Sequence, residues 1–316
     1  MTIKAHKILV IGDVMIDRYI IGEHHRNSPE ADCAVLNYER TEDRLGGAAN
    51  VALNLVKLNQ SVSLISVTGE DDGHTIINNL CSENQIEFKH ILDPSRPTTI
   101  KKRFVDNDFR QFLRVDIESI EYIEDNIAME ILGLVKEKIR VGLDLIIIQD
   151  YNKGLLTEQI IIAVQELCKV HQIKLSVDPK HKHFSLLSNC DIFKPNIKEL
   201  EFHYNQKIDL DVNSIYEAVA KLNFGKAKMT FVTLAEHGIY YQSSTEKGII
   251  KGVEITDADV SGAGDTVIAI LSLLLLIEKS IKQMATIANK CGAFVCKLQG
   301  VNCIKITDFQ YIIHIR

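Results

Sequence analysis

Several features that define other classes of protein are missing from this 316-residue sequence. Its seven cysteines include no C-x-x-C pair, so neither a zinc site nor a disulfide framework is predicted. There is no block of like charge, low-complexity segment or internal repeat, and a net charge of −6 offers no basic surface to nucleic acid. The longest apolar run, Val267 to Ile277, is shorter than the roughly 18 residues that span a bilayer. These absences argue against nucleic-acid and membrane partners.

The start of the chain and its composition indicate where the protein works. Residues 1–4 lack the apolar segment of a signal peptide, and strand-like sequence begins at Lys7. An apolar content of 46% and a charged content of 25% are typical of a soluble enzyme. We therefore expect a cytoplasmic protein, whose length allows one large α/β domain or two smaller ones.

The most informative stretch is residues 259–266, DVSGAGDT, which leads directly into the apolar segment 267–277. The glycines at 262 and 264 predict a tight turn whose backbone N–H groups converge. The apolar segment predicts a buried helix, and the N-terminus of a helix attracts anions through its free amides and its dipole. The stretch therefore predicts an anion site at the start of a helix.

Asp265 would lie in the first turn of that helix, where a bound phosphate is also expected. Two negative groups repel each other, so phosphate binding alone does not explain this aspartate. A phosphoryl group in transfer, beside an acceptor hydroxyl that must lose its proton, does explain it. We predict a phosphotransferase with Asp265 as the base and Gly262, Ala263 and Gly264 as the anion hole. An aspartate with an ordinary pKa near 4 is ionised at neutral pH and can accept the proton.

Other interpretations of this stretch are weaker. The dinucleotide fingerprint G-x-G-x-x-G needs a third small residue where Val267 stands, and it normally follows the first strand rather than lying near the C-terminus. The Walker A pattern is absent, which argues against an ordinary P-loop fold. A simple glycine-containing helix cap remains open on these residues alone.

Strands alternate with helices of ten to fifteen residues, a pattern that predicts a mainly parallel sheet with right-handed crossovers. The predicted strands are 7–12, 61–68, 144–149, 174–177, 190–193 and 229–233. The predicted helices are 51–58, 72–84, 121–140, a helix from 157, and 267–277. Polar residues follow the strands at Asp13, Asp150, Asp178, Asn196 and Thr233. Such residues are typical of a ligand-binding edge, although polar exit loops explain part of the pattern.

Further candidate ligands lie early in the chain. Asp17 has the chemistry to accept hydrogen bonds from sugar hydroxyls, although a cap or turn role explains it equally well. Gly46 and Gly47 stand before a helix and would let a ligand approach the backbone, and Asn50 adds an amide one turn later. A glycine-rich helix cap is the alternative for this pair.

Residues 19–39 are turn-like with strand-prone flanks and predict a small β excursion that acts as a lid or a dimer contact. Residues 98–116 contain two strand-like pieces with several cations: Lys101, Lys102, Arg103, Arg110 and Arg114. A solvated strand face explains most of these cations, but an anionic substrate would need one or two of them.

Two of these motifs together resemble a known family. Residues 46–52, GGAANVA, and residues 259–265 resemble the two signatures of the ribokinase-like (PfkB-type) carbohydrate kinases. Within that family, the sequence is most similar to the heptose 7-phosphate kinases of lipopolysaccharide inner-core biosynthesis. The stretches that carry this likeness are 12–19, 28–31, 150–154, 178–180 and 259–262. The resemblance covers nearly the whole chain.

The resemblance implies a single ribokinase-like domain over residues 1–316, a three-layer α/β/α fold with a mainly parallel central sheet. It also implies a small β-lid formed by about 18–40 and part of 98–116, through which a homodimer would form. The implied reaction is ATP-dependent phosphorylation of the anomeric (O1) hydroxyl of D-glycero-D-manno-heptose 7-phosphate to the 1,7-bisphosphate. ATP and Mg²⁺ are the implied cofactors, and a monovalent cation is left open.

The resemblance also implies residue roles. The sugar hydroxyls would be held by Asp17, Gly46, Gly47 and Asn50, with Asp150 and Asp178 also facing the substrate. The 7-phosphate would be bound by Arg103, Lys153 and Lys180. Mg²⁺ would be organised by Asn196 and Glu199, through water, because this cation gives up its hydration shell reluctantly. The nucleotide would lie along Thr233, Gly238 and Asn289.

The sequence departs from the family pattern in places. Asp32-Cys33-Ala34 replaces a more apolar continuation, and Lys290-Cys291 replaces small residues in the helix that borders adenine. Many relatives also carry a nucleotidyltransferase domain with an H-x-G-H motif, which does not occur here, so we expect a kinase-only form. The alternatives are a kinase of the same fold for another sugar, a non-catalytic sugar-binding protein, and a nicotinamide-dependent dehydrogenase, which Val267 disfavours.

Overall fold

The structure, a computed structural model, describes residues 4–222 and 227–314. Residues 1–3, on which part of the N-terminal prediction rests, lie outside these ranges. The strands are β1 Lys7–Gly12, β2 Val14–Asn27, β3 Ala34–Gly47, β4 Ser61–Thr68, β5 Glu87–Leu92, β6 Ile100–Val105, β7 Gln111–Ile117, β8 Leu145–Gln149, β9 Lys174–Asp178, β10 Ile192–Phe193, β11 Met229–Thr233, β12 Gly238–Gln242 and β13 Lys247–Lys251. The α-helices are α1 Ala48–Lys57, α2 Asp72–Glu83, α3 Asp125–Val141, α4 Glu158–His171, α5 Ile197–Tyr204, α6 Val212–Lys221, α7 Ala263–Leu276, α8 Ile281–Val295 and α9 Ile306–His314.

Nine strands form the central sheet, in the order β13-β12-β11-β10-β9-β8-β1-β4-β5. All pairs from β11 to β5 are parallel, whereas β12 pairs antiparallel with both β11 and β13 at one edge. Parallel strands need helical crossovers, which cover both faces of the sheet. None of the helices in the described ranges combines the length and the apolar character that crossing a membrane requires.

Alternate residues of the central strands enter two separate cores. In β1, Ile8 and Val10 pack with the helices α1, α7 and α8, whereas Leu9 and Ile11 pack with α3 and α4. This division follows from the two-residue period of a strand, whose side chains point to opposite faces. The result is three layers, helices over sheet over helices, with almost no exposure of the central strands.

The register of the sheet brings the carboxyl ends of three strands together. Gly12 at the end of β1 pairs with Gln149 at the end of β8, which pairs with Asp178 at the end of β9. The residues that leave these strands therefore meet at one edge of the sheet, where open α/β sheets bind ligands.

A second sheet, with the order β3-β2-β6-β7, contains the residues predicted to form a β excursion. β2 pairs antiparallel with β3 and parallel with β6, and β6 pairs antiparallel with β7. Its own small core consists of Tyr19, Ile21 and Val105, with Phe109 packed against them. The strands are longer than predicted, because β2 starts directly after β1 and β3 extends to the start of α1. Asp17 is therefore a strand residue, which removes the cap or turn role that the sequence left open as an alternative.

Candidate active site

The predicted glycine turn begins the helix α7. Gly262 is the N-cap residue with φ 76°, a conformation that disfavours any side chain. A Cβ atom at this position would also lie 2.7 Å from Nδ2 of Asn50. The carboxylate of Asp259 shapes the turn by accepting hydrogen bonds from the backbone N–H of Ser261 at 2.9 Å and of Gly300 at 2.7 Å. The first N–H groups of a helix have no acceptor within the helix, so this turn presents donors to an anion.

Asp265 lies one residue after Gly264 and is only 2% exposed. Its Oδ1 accepts hydrogen bonds from the Tyr151 hydroxyl at 2.6 Å and from Nε2 of Gln149 at 3.2 Å. Its Oδ2 accepts one from Nδ2 of Asn50 at 2.9 Å. A carboxylate has about four lone-pair positions. The three donors therefore leave one position, on Oδ2, for the proton of another hydroxyl.

The pKa of Asp265 is raised from 3.8 to about 7. Burial is the largest cause, because it disfavours the charged form; hydrogen bonds from Tyr151 and Asn50 and the charge of Lys194 oppose it, while the charge of Asp178 adds to it. The expectation of an ordinary pKa near 4 is therefore wrong. A base works best when its pKa is close to the working pH, so the shift suits proton abstraction at neutral pH.

Asn50 is held by the start of α1. Gly47, with φ 58°, is the N-cap residue of this helix, and a side chain at Gly46 would collide with the carboxylate of Asp17. The glycines therefore serve as the helix cap and make room for the side chain of Asp17, while their contact with a ligand stays a prediction. Asn54 fixes Asn50 from the next turn, donating from Nδ2 to the Asn50 carbonyl oxygen at 2.9 Å.

Asp13 and Asp150 have their carboxylates occupied by loops. Asp13 accepts hydrogen bonds from the N–H of Tyr151 at 3.0 Å, of Lys153 at 3.0 Å and of Leu155 at 3.3 Å, and burial raises its pKa to about 6. Asp150, a predicted substrate ligand, instead bonds the N–H of Asn152 and Lys180 and Nδ1 of His183 at 2.6 Å. Both aspartates thus organise the loop that carries Tyr151 and Lys153.

The three cations predicted for the sugar phosphate fall into two places. Arg103 pairs with Asp17, and Lys153 pairs with Glu118 at 2.7 Å, so both lie by the second sheet. Lys101 joins them, because its Nζ lies 3.3 Å from Glu118. Lys180 instead pairs with Glu199, and its Nζ lies 5.2 Å from the ring centroid of Tyr151.

Asn196 and Glu199, the predicted metal residues, form a capping box at the start of α5. Glu199 N–H donates to Asn196 Oδ1 at 2.8 Å, and Asn196 N–H donates to Glu199 Oε2 at 2.9 Å. Burial raises the pKa of Glu199, and the charge of Lys180 opposes that shift. In residues 4–222 and 227–314, no three His, Cys, Asp or Glu side chains group together as metal ligands. One carboxylate and one amide oxygen fit a Mg²⁺ ion held through water, and not a complete protein cage.

The predicted nucleotide residues lie along the antiparallel edge of the central sheet. Thr233 ends β11 and forms a bridge with Asn196. Gly238, with φ 107°, starts β12 opposite Lys251, and Nδ2 of Asn289 donates to the Lys251 carbonyl oxygen at 2.8 Å. The three residues are therefore continuous with the Asn196 end of the site.

Three residues of the centre were missed as site residues by the sequence analysis: Gln149, Tyr151 and Lys194. Nζ of Lys194 lies 3.0 Å from Asp178 Oδ2 and 3.8 Å from the position of a Cβ at Gly264. Lys194 is 3% exposed, so a full positive charge is buried beside the glycine turn. Lys194 follows β10, and Gln149 ends β8. Both are polar residues at the carboxyl ends of strands, the criterion that selected Asp150 and Asp178, so the same criterion would have identified them.

The comparison with known families agrees with this arrangement. Residues 5–306 match the pfkB family carbohydrate kinases, and the chain belongs to this family. Kinases of the family use ATP and a divalent metal. The prediction of a phosphotransferase with an alcohol group as acceptor is confirmed at the level of the family.

Two relatives illustrate the similarity in sequence. The bifunctional protein HldE of Helicobacter acinonychis (strain Sheeba) is 35% identical over 309 residues, which are 98% of this chain and 66% of the relative. The bifunctional protein HldE of Helicobacter pylori (strain ATCC 700392 / 26695) is 36% identical over 310 residues, 98% of this chain and 67% of the relative. The chain thus spans about two thirds of the length of these relatives.

Solved structures share the fold. Phosphofructokinase-2 from Escherichia coli in complex with substrates and products has a TM-score of 0.78 at 18% identity, with 98% of each chain covered. The same enzyme in complex with potassium has a TM-score of 0.79 at 17% identity, again with 98% of each chain covered. The predicted ribokinase-like α/β fold is therefore confirmed, while the lid role of the second sheet stays a prediction.

Proposed function

We propose that the chain transfers the terminal phosphoryl group of ATP to the anomeric hydroxyl of D-glycero-D-manno-heptose 7-phosphate. The observation that carries the proposal is the position of Asp265, directly after the Gly262–Gly264 turn and with one oxygen position left for a hydroxyl. The choice of sugar rests on the resemblance of the stretches 12–19, 150–154 and 178–180 to the heptose 7-phosphate kinases.

The proposed reaction is one displacement at phosphorus. The acceptor O1 attacks the γ-phosphorus, the bond from that phosphorus to the β–γ bridging oxygen breaks, and ADP leaves. The proton of O1 passes to Oδ2 of Asp265. Amides of the Gly262–Gly264 turn meet the charge on the phosphoryl oxygens, and the buried ammonium of Lys194 lies beside the turn.

Asn196 and Glu199 would hold Mg²⁺ through water, and the ion would neutralise charge on the ATP phosphates. Thr233, Gly238 and Asn289 would contact the nucleotide along the antiparallel edge of the sheet. Lys180 pairs with Glu199, so we assign it to this end of the site. Of the three cations predicted to bind the sugar phosphate, Lys180 therefore has less support than Arg103 and Lys153.

Asp17, Gly46, Gly47 and Asn50 would contact the sugar, with Asp178 at the same edge. Arg103 and Lys153 would bind its phosphate. Each already pairs with a carboxylate, Asp17 or Glu118, so the phosphate would enter by displacing part of an existing ion pair. Such exchange favours a substrate with a strong double negative charge over a neutral sugar.

An ADP-release assay across sugars and sugar phosphates tests the proposal. We expect the heptose 7-phosphate to exceed neutral heptose, hexose and pentose by at least about tenfold in kcat/KM, a gap of roughly 1.4 kcal/mol. Lys153→Ala should remove most of that preference, whereas Lys169→Ala, an exposed lysine on α4, should not. If a neutral sugar is turned over as fast as the heptose 7-phosphate, that sugar becomes the proposed substrate. If no sugar or sugar phosphate is turned over, a non-catalytic sugar-binding protein is favoured.

We also propose that a second copy of the chain covers the outer face of the second sheet, which would make this sheet both a lid and a dimer contact. On β7, Leu113 is 55% exposed and Val115 is 41% exposed, beside the half-buried Ile20 and Phe104. Leu113→Lys should convert a dimer to a monomer in light scattering, whereas Met129→Lys, at an exposed position of α3, should not. A wild-type monomer would contradict the proposal.

A cytoplasmic location stays a prediction.

A further inference from the structure

The side-chain amide of Gln149 lies between two carboxylates. Its Nε2 donates to Asp178 Oδ2 at 3.0 Å and to Asp265 Oδ1 at 3.2 Å. A carboxylate only accepts hydrogen bonds, so the NH₂ end of the amide must face both neighbours. The orientation of this amide is therefore fixed by charge, and the carbonyl oxygen must point elsewhere.

That carbonyl oxygen, Oε1 of Gln149, is buried and has no hydrogen-bond partner among the described residues. Gln149 is 1% exposed, so bulk water does not satisfy this oxygen. An unpaired buried acceptor is costly, and an unpaired acceptor at a binding site indicates a donor that arrives with the ligand. Only one carbon separates the amide oxygen from the nitrogen that contacts Asp265, so the donor would be close to the acceptor hydroxyl.

The charged and polar groups around Asp265 come from α1 and from the carboxyl ends of β8, β9 and β10. Asp178, at the end of β9, contacts Gln149 and is neutralised in part by Lys194, which follows β10. Tyr151, which follows β8, donates directly to Asp265, and the uncharged Asn50 of α1 completes the set. Gln149 is therefore the group that bridges the two carboxylates of the centre.

We propose that Gln149 positions Asp265 by bridging it to Asp178, and that its carbonyl oxygen accepts a hydrogen bond from a hydroxyl of the acceptor sugar, on the carbon next to the acceptor carbon. The inference rests on the proposed function. It defines the substrate class as a polyol with a neighbouring hydroxyl in place, and it makes Gln149 a residue that selects among acceptors.

The first experiment needs no turnover. Carboxyl carbons are titrated by NMR in protein labelled with ¹³C-aspartate, and Asp265 is identified as the signal missing from Asp265→Asn. In Gln149→Met, which keeps the length but loses the amide, the pKa of Asp265 should rise by about half a unit or more, because a donor to the charged form is gone. Gln149→Asn is too short to bridge both carboxylates and should also raise the pKa of Asp265. This variant replaces Gln149→Met in the experiment if the methionine variant does not fold.

Gln165→Met is the matched control. Gln165 is 3% exposed, and its amide is fully used by the carbonyl oxygens of Ile161 and Leu186 and by the N–H groups of Ser188 and Asn189. This variant should leave the titration of Asp265 unchanged. An unchanged pKa in Gln149→Met, or an equal shift in Gln165→Met, would overturn the bridging role.

The second experiment compares the best acceptor with its analogue lacking the neighbouring hydroxyl. Wild-type protein should prefer the parent by about 10–100-fold in kcat/KM, and Gln149→Met should reduce this preference to within about threefold. If Gln149→Met prefers the parent acceptor over its analogue as strongly as the wild-type protein does, the role of Gln149 as hydrogen-bond acceptor is overturned. If no sugar or sugar phosphate is turned over, the proposed function fails and the acceptor role with it, while the titration still decides the bridging role.

Discussion

Two buried carboxylates at the same edge of the sheet, Asp13 and Asp265, are held in different ways. Asp13 takes three hydrogen bonds from backbone N–H groups of one loop, and Asp265 takes three from side chains of two segments that are distant in the sequence, Asn50 on one and Gln149 and Tyr151 on the other. Both pKa values are raised by burial, to about 6 and about 7. Backbone donors fix a loop permanently, whereas side-chain donors can give way to a substrate. The comparison indicates a structural role for Asp13 and supports the proposed chemical role of Asp265.

The largest effect is expected from removing the base. Asp265→Asn should lower kcat by about 10²–10⁴, because general base catalysis is lost. Binding of ATP, followed by calorimetry, should stay nearly the same, since the amide is similar in size and the glycine turn is intact. A variant that keeps more than about a third of wild-type turnover would contradict the assignment.

Gly262→Ala should have the next largest effect. The new methyl group would lie in a conformation with φ 76° and 2.7 Å from Nδ2 of Asn50, so the turn amides must move. Loss of aligned donors should reduce kcat by roughly 10²–10³. Gly133→Ala is the control, because nothing lies within 4 Å of its added methyl on α3, and it should leave kcat unchanged. Wild-type kcat in Gly262→Ala would contradict an anion hole at this turn.

Asp13→Asn should act on stability rather than on chemistry. An amide NH₂ would face at least one backbone N–H of the loop at Tyr151 and Lys153, which costs about 1–3 kcal/mol of unfolding free energy in urea titrations. The pKa of Asp13 is raised on folding, so its contribution to stability is complete below about pH 4 and declines as the pH rises through about 6. The loss in Asp13→Asn should therefore be larger at about pH 5 than at about pH 8. A loss that grows with pH would have the wrong sign.

Local sequence signals predicted the central strands well. β1, β4 and β11 begin and end at the predicted residues. β1 is an apolar run that ends in glycine, and β4 largely alternates polar and apolar residues before Gly69. The sequence analysis missed β5, β12 and β13. Strands β5 and β13 lie at the two edges of the sheet and are only partly buried, so they show neither an apolar run nor clean alternation. Strand β12 is buried but only five residues long. α3 starts at Asp125 rather than at Glu121.

The site was predictable where one residue type determines the chemistry and unpredictable where distant partners do. Asp265 and its glycine turn follow from eight consecutive residues. Its pKa does not, because burial and the contacts with Asn50 and Tyr151 join residues 215 and 114 positions apart. For the same reason, the contacts of Asp150 with Lys180 and His183 are visible only in the folded chain, and its substrate role stays a prediction.

The most direct test of the account is the dependence of kcat/KM on pH for the proposed acceptor. If Asp265 is a buried base with a pKa of about 7, activity should rise about tenfold per pH unit below that value and level off above it. The rise should be absent from the residual activity of Asp265→Asn. A rise centred near pH 4, or one that persists in Asp265→Asn, would contradict the assignment of Asp265 as the base.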